Sequence, residues 1–341
     1  MTKRYEFELM NYKSAKSDIG VVVVAFNRKN YVINAIKSVI DQKVSTIKYS
    51  ITLVKNFKDD KVDKFLEENH VNNIYTNIPS LGYKILLGVI LTNSLIISFL
   101  EDDDLFVENK LDSVYNKFNQ RNDLLYYHNS MIPISEETNL IDKWYKQENG
   151  NLICDSKTEL IKIRRLVMYG GHNLSSISVK RELILHNHKI FKEYTYNLDY
   201  VTLLLALNSN GSKISDFERL TFYREHESAI HVNNKVVGDY IRRLTEIKEL
   251  ELDTLLNLGN QITFINNSVK NIYILMLHQH LIWRDFFRNF PNSLSVLEYL
   301  RLYKYNFNLK KYLINLIFIV LNHKLLFRIK MFIFKKLVKI N

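Results

Sequence analysis

Residues 94–104, SLIISFLEDDD, hold the pattern that decides the fold of this chain. The first seven residues form a short apolar run, rich in β-branched and large side chains, which predicts a buried strand. Glu101, Asp102, Asp103 and Asp104 follow directly. Four carboxylates are therefore expected at the carboxyl end of a core strand.

This acidic cluster, residues 101–104, presents a charge problem that points to a ligand. Like charges in close contact repel, and an ionised carboxylate is costly to remove from water. A divalent cation that bridges carboxylates to a substrate phosphate would relieve both costs, and paired oxygen ligands suit Mg²⁺ or Mn²⁺. The alternative is a solvated acidic turn that caps the following helix. Residue types alone leave both interpretations open.

Upstream of the acidic cluster, predicted strands alternate with predicted helices, which implies βαβ units and a mostly parallel sheet. Ligands of such sheets bind beyond the carboxyl ends of the strands, where Phe26, Asn27 and Asn56 also fall. We expect strands at 19–26, 50–54, 73–76 and 95–100, and helices at 30–42, 61–69 and 83–92.

Downstream, the pattern is less regular. We predict helices at 109–118 and 197–208, a strand at 174–179, and a turn, a strand and a short extended segment within 211–224. Residues 124–134 and 151–165 give no clear pattern. From about residue 236 Gly and Pro almost vanish, which predicts successive helices. The expected organisation is an N-terminal extension (1–18), an α/β domain (19–232) and a C-terminal helical region (233–341).

The single cysteine, Cys154, excludes an internal disulfide framework and a cysteine-based zinc site. Residues 1–18 are polar and charged, without the apolar core of a signal peptide. We therefore expect a reducing, cytoplasmic location.

The net charge of +11 is concentrated in the tail, which we define as residues 301–341, with ten basic residues and no acidic one. Its apolar run at 312–321 is too short for a spanning helix. Residues 325–336 are both basic and apolar, which favours a helix lying on an anionic membrane, peripheral to its cytoplasmic face. The alternative is a C-terminal helix packed on the catalytic domain, or a dimer contact. Nucleic acid is not expected as a partner, because Phe, Leu and Ile interleave with the basic residues.

Four motifs, in order over roughly residues 19–230, resemble the inverting glycosyltransferase family 2, of GT-A fold (a Rossmann-like, mostly parallel sheet with flanking helices). They are VVVVAFNR at 21–28 followed by AIKSVIDQ at 35–42, FLEDDD at 99–104, the pair Leu198-Asp199, and FYREH at 222–226.

The resemblance implies a metal-dependent transfer, with Mg²⁺ or Mn²⁺, of a sugar from a UDP- or GDP-type donor to a glycan or lipid-linked acceptor. It implies Asp199 as the catalytic base, although an acid in the first turn of a helix is also common for structural reasons. It places Asp103 and Asp104 at the metal, with Glu101 beside them. The residues implied at the nucleotide are Val24, Phe26, Asn27, Asn56, Lys84 and Asp102.

Arg224 and His226 match the family element that contacts the diphosphate or metal, and their alternative is a structural role on a loop. His172 could line the acceptor side or be structural. The chain departs from the family at Lys55-Asn56, where Asp-Asp is usual, and at Ile85-Leu86, where Arg-Asn is usual. A preference for uridine therefore no longer follows from the motif. A non-catalytic GT-A-like protein that binds nucleotide or glycan is the alternative function, and a nucleic-acid-binding protein that uses the basic tail is a less favoured one.

Overall fold

The computed structural model describes residues 16–135, 152–154, 160–225, 237–288, 293, 295–301 and 309–321. The chain divides into two compact units, Met1–Val232 and Asn233–Asn341. The candidate site lies in the first unit.

The described part of the N-terminal unit is built on one sheet of nine strands. The strands are β1 (Ser17–Ala25), β2 (Tyr49–Lys55), β3 (Asn72–Tyr75), β4 (Ser94–Glu101), β5 (Leu105–Phe106), β6 (Leu124–Ser135), β7 (Leu152–Cys154), β8 (Ile177–Lys180) and β9 (Ser212–Glu225).

Helices connect these strands, and a short 3₁₀ turn at Leu174–Ser176 precedes β8. The helices are α1 (Val32–Ile40), α2 (Asp60–Glu68), α3 (Leu81–Leu91), α4 (Lys110–Gln120), α5 (Leu160–Tyr169), α6 (Arg181–His186), α7 (His188–Phe191) and α8 (Leu198–Leu207).

The strands lie in the order β3-β2-β1-β4-β8-β6-β9-β5, with β7 against β9. Strands β3, β2, β1 and β4 are mutually parallel, and β6 is parallel to β9. Only β8, β5 and β7 pair antiparallel to their neighbours in the described sheet. The mixed α/β architecture with a mostly parallel sheet confirms the predicted fold class.

Strand β1 runs through the middle of the parallel half. Val21, Val22 and Val23 are all fully buried. Consecutive side chains point to opposite faces of a strand, so both faces of β1 are covered, as expected for an unbroken apolar run. The buried strand fixes the point at which Phe26 and the residues after it leave the sheet.

Two segments differ from the sequence expectation. Residues 124–134 form strand β6, whose buried polar residues His128 and Asn129 break the apolar pattern that would have revealed it. Residues 212–225 form one continuous strand, because β6 pairs along its length through register shifts that absorb the irregular stretch.

The described part of the C-terminal unit is helical, as predicted, with α9 (Val237–Gln261), α10 (Asn267–Arg288), α11 (Val296–Arg301) and α12 (Leu309–Leu321). The rings of Phe286 and Phe318 stack at 4.0 Å, and those of Tyr299 and Tyr312 at 4.6 Å. The apolar run at 312–321 therefore belongs to the core of this unit. None of the helices in the described ranges is long and apolar enough to cross a bilayer.

Candidate active site

The carboxyl ends of β1, β2 and β4 meet at one edge of the sheet. Because the three strands are parallel neighbours, Val24 pairs in register with Glu101 on one side and with Val54 on the other. Phe26, Asn56 and Asp102, which follow these strands, therefore share that edge. The convergence expected from the sequence is present.

A fork of two ion pairs joins the end of β1 to the acidic cluster. Arg28 Nη2 lies 2.5 Å from Asp102 Oδ1, and Arg28 Nη1 lies 2.5 Å from Asp103 Oδ2. Burial alone would lower the pKa of the Arg28 guanidinium, but the charges of Asp102 and Asp103 raise it. Arg28 thus acts as the counter-ion of both carboxylates, a role that the sequence analysis did not assign to it.

Asp102 and Asp104 are each only 1% exposed. Burial is the main cause that raises the pKa of both carboxyls to about 7. At Asp102 the charge of Arg28 works against this rise, and at Asp104 the charge of Asp103 adds to it. Burial and the neighbouring charge of Asp103 therefore disfavour the ionised form of both carboxyls.

Arg224 reaches the cluster because β9 pairs with β5, directly after the acidic residues. Its backbone N–H donates to Asp104 Oδ1 at 3.0 Å, and its Nε donates to the carbonyl of Asp103 at 2.9 Å. The guanidinium lies 5.0 Å from the ring centre of Tyr31. Two arginines thus flank Asp103, and guanidinium groups can bind phosphate oxygens through paired, charge-assisted hydrogen bonds.

Beneath the cluster lies Lys110, whose side chain is fully buried. Its Nζ donates to the carbonyl of Ser175 at 2.5 Å and to Thr221 Oγ1 at 2.8 Å. Burial lowers the pKa of this ammonium well below its usual value, and the charge of Asp104 opposes that effect. Sequence reasoning missed Lys110, because a lysine in the first turn of an amphipathic helix resembles an ordinary surface residue.

The ends of β1 and β2 are locked by a reciprocal amide pair. Asn27 N–H donates to Asn56 Oδ1 at 2.8 Å, and Asn56 Nδ2 donates to Asn27 Oδ1 at 2.7 Å. Asn27 has a left-handed φ of 59°, which Asn tolerates better than most residues. Asn56 therefore supports the loop that carries Arg28, and this structural role does not depend on a ligand.

Phe26 and Lys84 form a second pair at this edge. Residue Phe26 is 46% exposed, whereas Lys84, from α3, is 1% exposed with its Nζ 4.2 Å from the centre of the Phe26 ring. The side chain of Lys84 thus lies against the Phe26 ring and is almost completely shielded from solvent. Val24 is similarly buried, at 6% exposure, within β1.

Asp199 lies in the first turn of α8, after Asn197, which has a left-handed φ of 60°. Its Oδ1 accepts a hydrogen bond from the backbone N–H of Tyr200 at 2.9 Å. Burial first, and then the charges of Asp103, Asp104 and Asp199, raise the pKa of Glu101. Asp199 is therefore close enough to interact electrostatically with the acidic cluster, although it is remote in sequence.

Two contacts fix the start of α8 near the site. The ring of His172 meets that of Tyr200 edge to face at 5.4 Å. Gly82 N–H, at the start of α3, donates to the carbonyl of Tyr194 at 2.8 Å, and a Cβ at Gly82 would lie 1.8 Å from the carbonyl oxygen of Phe191. Only glycine allows this close approach between α3 and the segment before α8.

His226 lies outside the described residues. Within the described ranges no group of three or more His, Cys, Asp or Glu side chains could hold a metal ion. Of the other predicted site residues, Phe26, Asn27, Asn56, Asp102, Asp103, Asp104 and Arg224 gather at the sheet edge.

Burial of His128 predicts that the folding stability of the protein depends on pH. It is buried, its Nε2 donates to the carbonyl of His172 at 2.8 Å, and burial lowers its pKa to about 3. An unfolded histidine has a pKa of about 6.5, so below that pH the unfolded chain binds more protons and stability falls. We expect the urea midpoint to drop between about pH 7.5 and about pH 5, and to drop less in His128→Gln. Equal drops in the two proteins would contradict this assignment.

The sheet defines a fold of GT-A type, in which a mostly parallel sheet carries carboxylates and arginines at one edge. The family model "Glycosyl transferase family 2" matches residues 20–169. This match identifies a glycosyltransferase family 2 domain in that part of the chain. Among curated proteins none matches the chain.

Solved structures of TarS from S. aureus share the fold. TarS 1–349 in complex with UDP-GlcNAc has a TM-score of 0.54 at 10% identity, over 94% of this chain and 92% of that one. TarS 1–349 in complex with UDP has a TM-score of 0.54 at 11% identity, over 87% of this chain and 80% of that one. A structure of a longer TarS chain has a TM-score of 0.54 at 12% identity, over 83% of this chain. The match spans only 46% of the length of that TarS chain. At these identities the likeness concerns the fold.

Proposed function

We propose that this chain is an inverting, metal-dependent glycosyltransferase that moves a sugar from a nucleotide-sugar donor to a glycan or lipid-linked acceptor. The observation that carries the proposal is the acidic cluster at the carboxyl end of β4, flanked by Arg28 and Arg224. This edge combines carboxylates for a cation with guanidinium groups for a diphosphate.

The donor class is supported by the fold and by the exposed ring of Phe26. TarS 1–349, which shares the fold, binds UDP and UDP-GlcNAc. Phe26 lies at the end of β1 with nearly half of its surface free, as a base-stacking residue requires. We therefore propose a UDP-type donor first and a GDP-type donor second.

The residues present fit a divalent cation. Asp102 Oδ2 and Asp104 Oδ2 are both buried, and each lacks a hydrogen-bond partner in the described structure. Mg²⁺ and Mn²⁺ are often held by one or two carboxylates together with substrate phosphates and water, so a set of three protein ligands is not required. We propose that Asp103 and Asp104 hold the ion and that Asp102 supports them.

In the proposed reaction the acceptor oxygen forms a bond to the anomeric carbon while the bond from that carbon to the donor phosphate breaks. The metal, when bound, neutralises charge on the departing diphosphate. Asp199 takes the proton of the acceptor hydroxyl as it attacks. Arg224, held by Asp103 and Tyr31, is placed to bind the phosphate oxygens, and Phe26 orients the base.

The test is release of free nucleotide by the purified full chain from a panel of UDP- and GDP-sugars, with Mn²⁺ or with EDTA. We expect release with at least one donor, and only with metal. Saturable nucleotide binding without release, across the panel and with candidate glycan acceptors, would favour the non-catalytic alternative.

We further propose that the end of the tail holds the protein at the cytoplasmic face of an anionic membrane. Helix α12 buries Tyr312 and Phe318 in the core of the C-terminal unit, so residues 309–321 are not free for this role. Residues 322–341, outside the described ranges, still contribute six basic residues among many apolar ones. Each basic residue near an anionic surface contributes about 1 kcal/mol.

Truncation after Leu321 should therefore release the protein from anionic liposomes and leave nucleotide binding intact. A cut after residue 300 is not suitable, because it removes Tyr312 and Phe318 from the core. Flotation with phosphatidylserine vesicles, compared with neutral vesicles as the control, measures the effect. A full-length chain that stays in the soluble fraction would refute the membrane assignment.

A further inference from the structure

We infer that Arg28 is a built-in counter-ion that competes with the divalent cation for the carboxylates of Asp102 and Asp103, and so makes metal loading depend on the donor. The inference rests on the proposed function, because it concerns the metal assigned there. It adds control of metal loading to the diphosphate contact proposed above for Arg28.

The geometry shows why the two cations compete. Each terminal nitrogen of the guanidinium takes one oxygen from a different carboxylate, at 2.5 Å in both cases. An ion coordinated by Asp103 would lie close to the Arg28 guanidinium, and two positive charges at this distance repel. Release of at least one arm of the fork therefore favours metal binding, because it moves the guanidinium away from the ion.

The position of Arg28 makes that release feasible. Its side chain is 38% exposed, whereas that of Asp102 is 2% exposed, so the arginine can move while the carboxylate cannot. Arg28 also stands at the start of a loop that the Asn27–Asn56 pair holds in place. The fixed backbone limits the movement to the guanidinium end of the side chain.

A donor diphosphate offers the released guanidinium new acceptors. Guanidinium groups bind phosphate oxygens through paired, charge-assisted hydrogen bonds. In the wild-type protein, nucleotide should therefore favour metal binding in two ways. Its phosphates ligate the ion, and they also bind the Arg28 guanidinium in place of the carboxylates. Without Arg28 only the first way remains, so the coupling between nucleotide and metal should shrink.

The test is calorimetric titration of the full chain with MnCl₂, with and without UDP, in the wild type and in Arg28→Gln. The matched control is Lys29→Gln, which also removes one positive charge but takes it from an ion pair with Asp59, at 3.3 Å. Arg28→Lys keeps the charge and loses the fork, so it provides a second variant if Arg28→Gln does not fold.

Without UDP, Arg28→Gln should bind Mn²⁺ roughly tenfold more tightly than the wild type, since a competing cation is gone. Arg28→Lys should lie between them, and Lys29→Gln should match the wild type. UDP should increase the Mn²⁺ affinity of Arg28→Gln by a smaller factor than that of the wild type. Unchanged or weaker Mn²⁺ binding by Arg28→Gln, or an equal effect of Lys29→Gln, would overturn the inference.

The same experiment separates this inference from the proposed function. If the wild type releases nucleotide only with metal, but Arg28→Gln gains no Mn²⁺ affinity, the counter-ion role fails and the enzyme assignment stands. If neither protein binds Mn²⁺ at all, the inference fails together with the metal dependence.

Discussion

Asp103→Ala should abolish sugar transfer and leave the protein folded. This carboxylate is the proposed metal ligand that Arg28 also contacts, at 2.5 Å. A metal that neutralises a departing diphosphate supplies several kcal/mol, so its loss should reduce turnover by about 10³-fold or more. Metal-dependent binding of UDP should weaken in parallel.

Stability should hold in Asp103→Ala because the charge of Asp103 raises the pKa of both Asp102 and Asp104, and its removal eases that repulsion. Thermal unfolding without metal measures this directly. Glu108→Ala is the matched control, since it removes an exposed carboxylate a few residues away whose partner is Lys43. Wild-type turnover and metal affinity in Asp103→Ala would assign the metal to other residues.

Asp199→Asn should separate chemistry from binding. The amide keeps the size of the side chain and can still accept the hydrogen bond from the Tyr200 N–H, so the first turn of α8 should be preserved. It cannot accept a proton from the acceptor, and loss of a general base costs about 10²–10⁴-fold in rate. Donor affinity should change little.

Steady-state turnover and UDP calorimetry on the same preparation test both halves of this prediction. Glu193→Gln serves as the control, because Glu193 is an exposed acid in the segment that leads to α8. If Asp199→Asn retains more than about a tenth of the rate, another residue is the base.

The strands that build the site were predictable from the sequence because each is short and rich in buried apolar residues, as in a parallel sheet. Their carboxyl ends carry Phe26, Asn56 and the acidic cluster, and parallel pairing brings those ends together. Strand β6 was not predictable, because His128 and Asn129 are buried within it through hydrogen bonds that no local pattern reveals.

The sequence by itself determined the α/β class, the positions of the acidic cluster and of the motif that ends in Arg28, and the helical character of the C-terminal region. These follow from periodicity and residue order along the chain. The tertiary structure alone decided which cation pairs with the carboxylates of Asp102 and Asp103, namely Arg28, and that Lys110 is buried with its Nζ on the Ser175 carbonyl. The reason is physical: ion pairing and burial depend on distances between side chains 75 residues apart in sequence, as in Arg28–Asp103, and such distances exist only after folding.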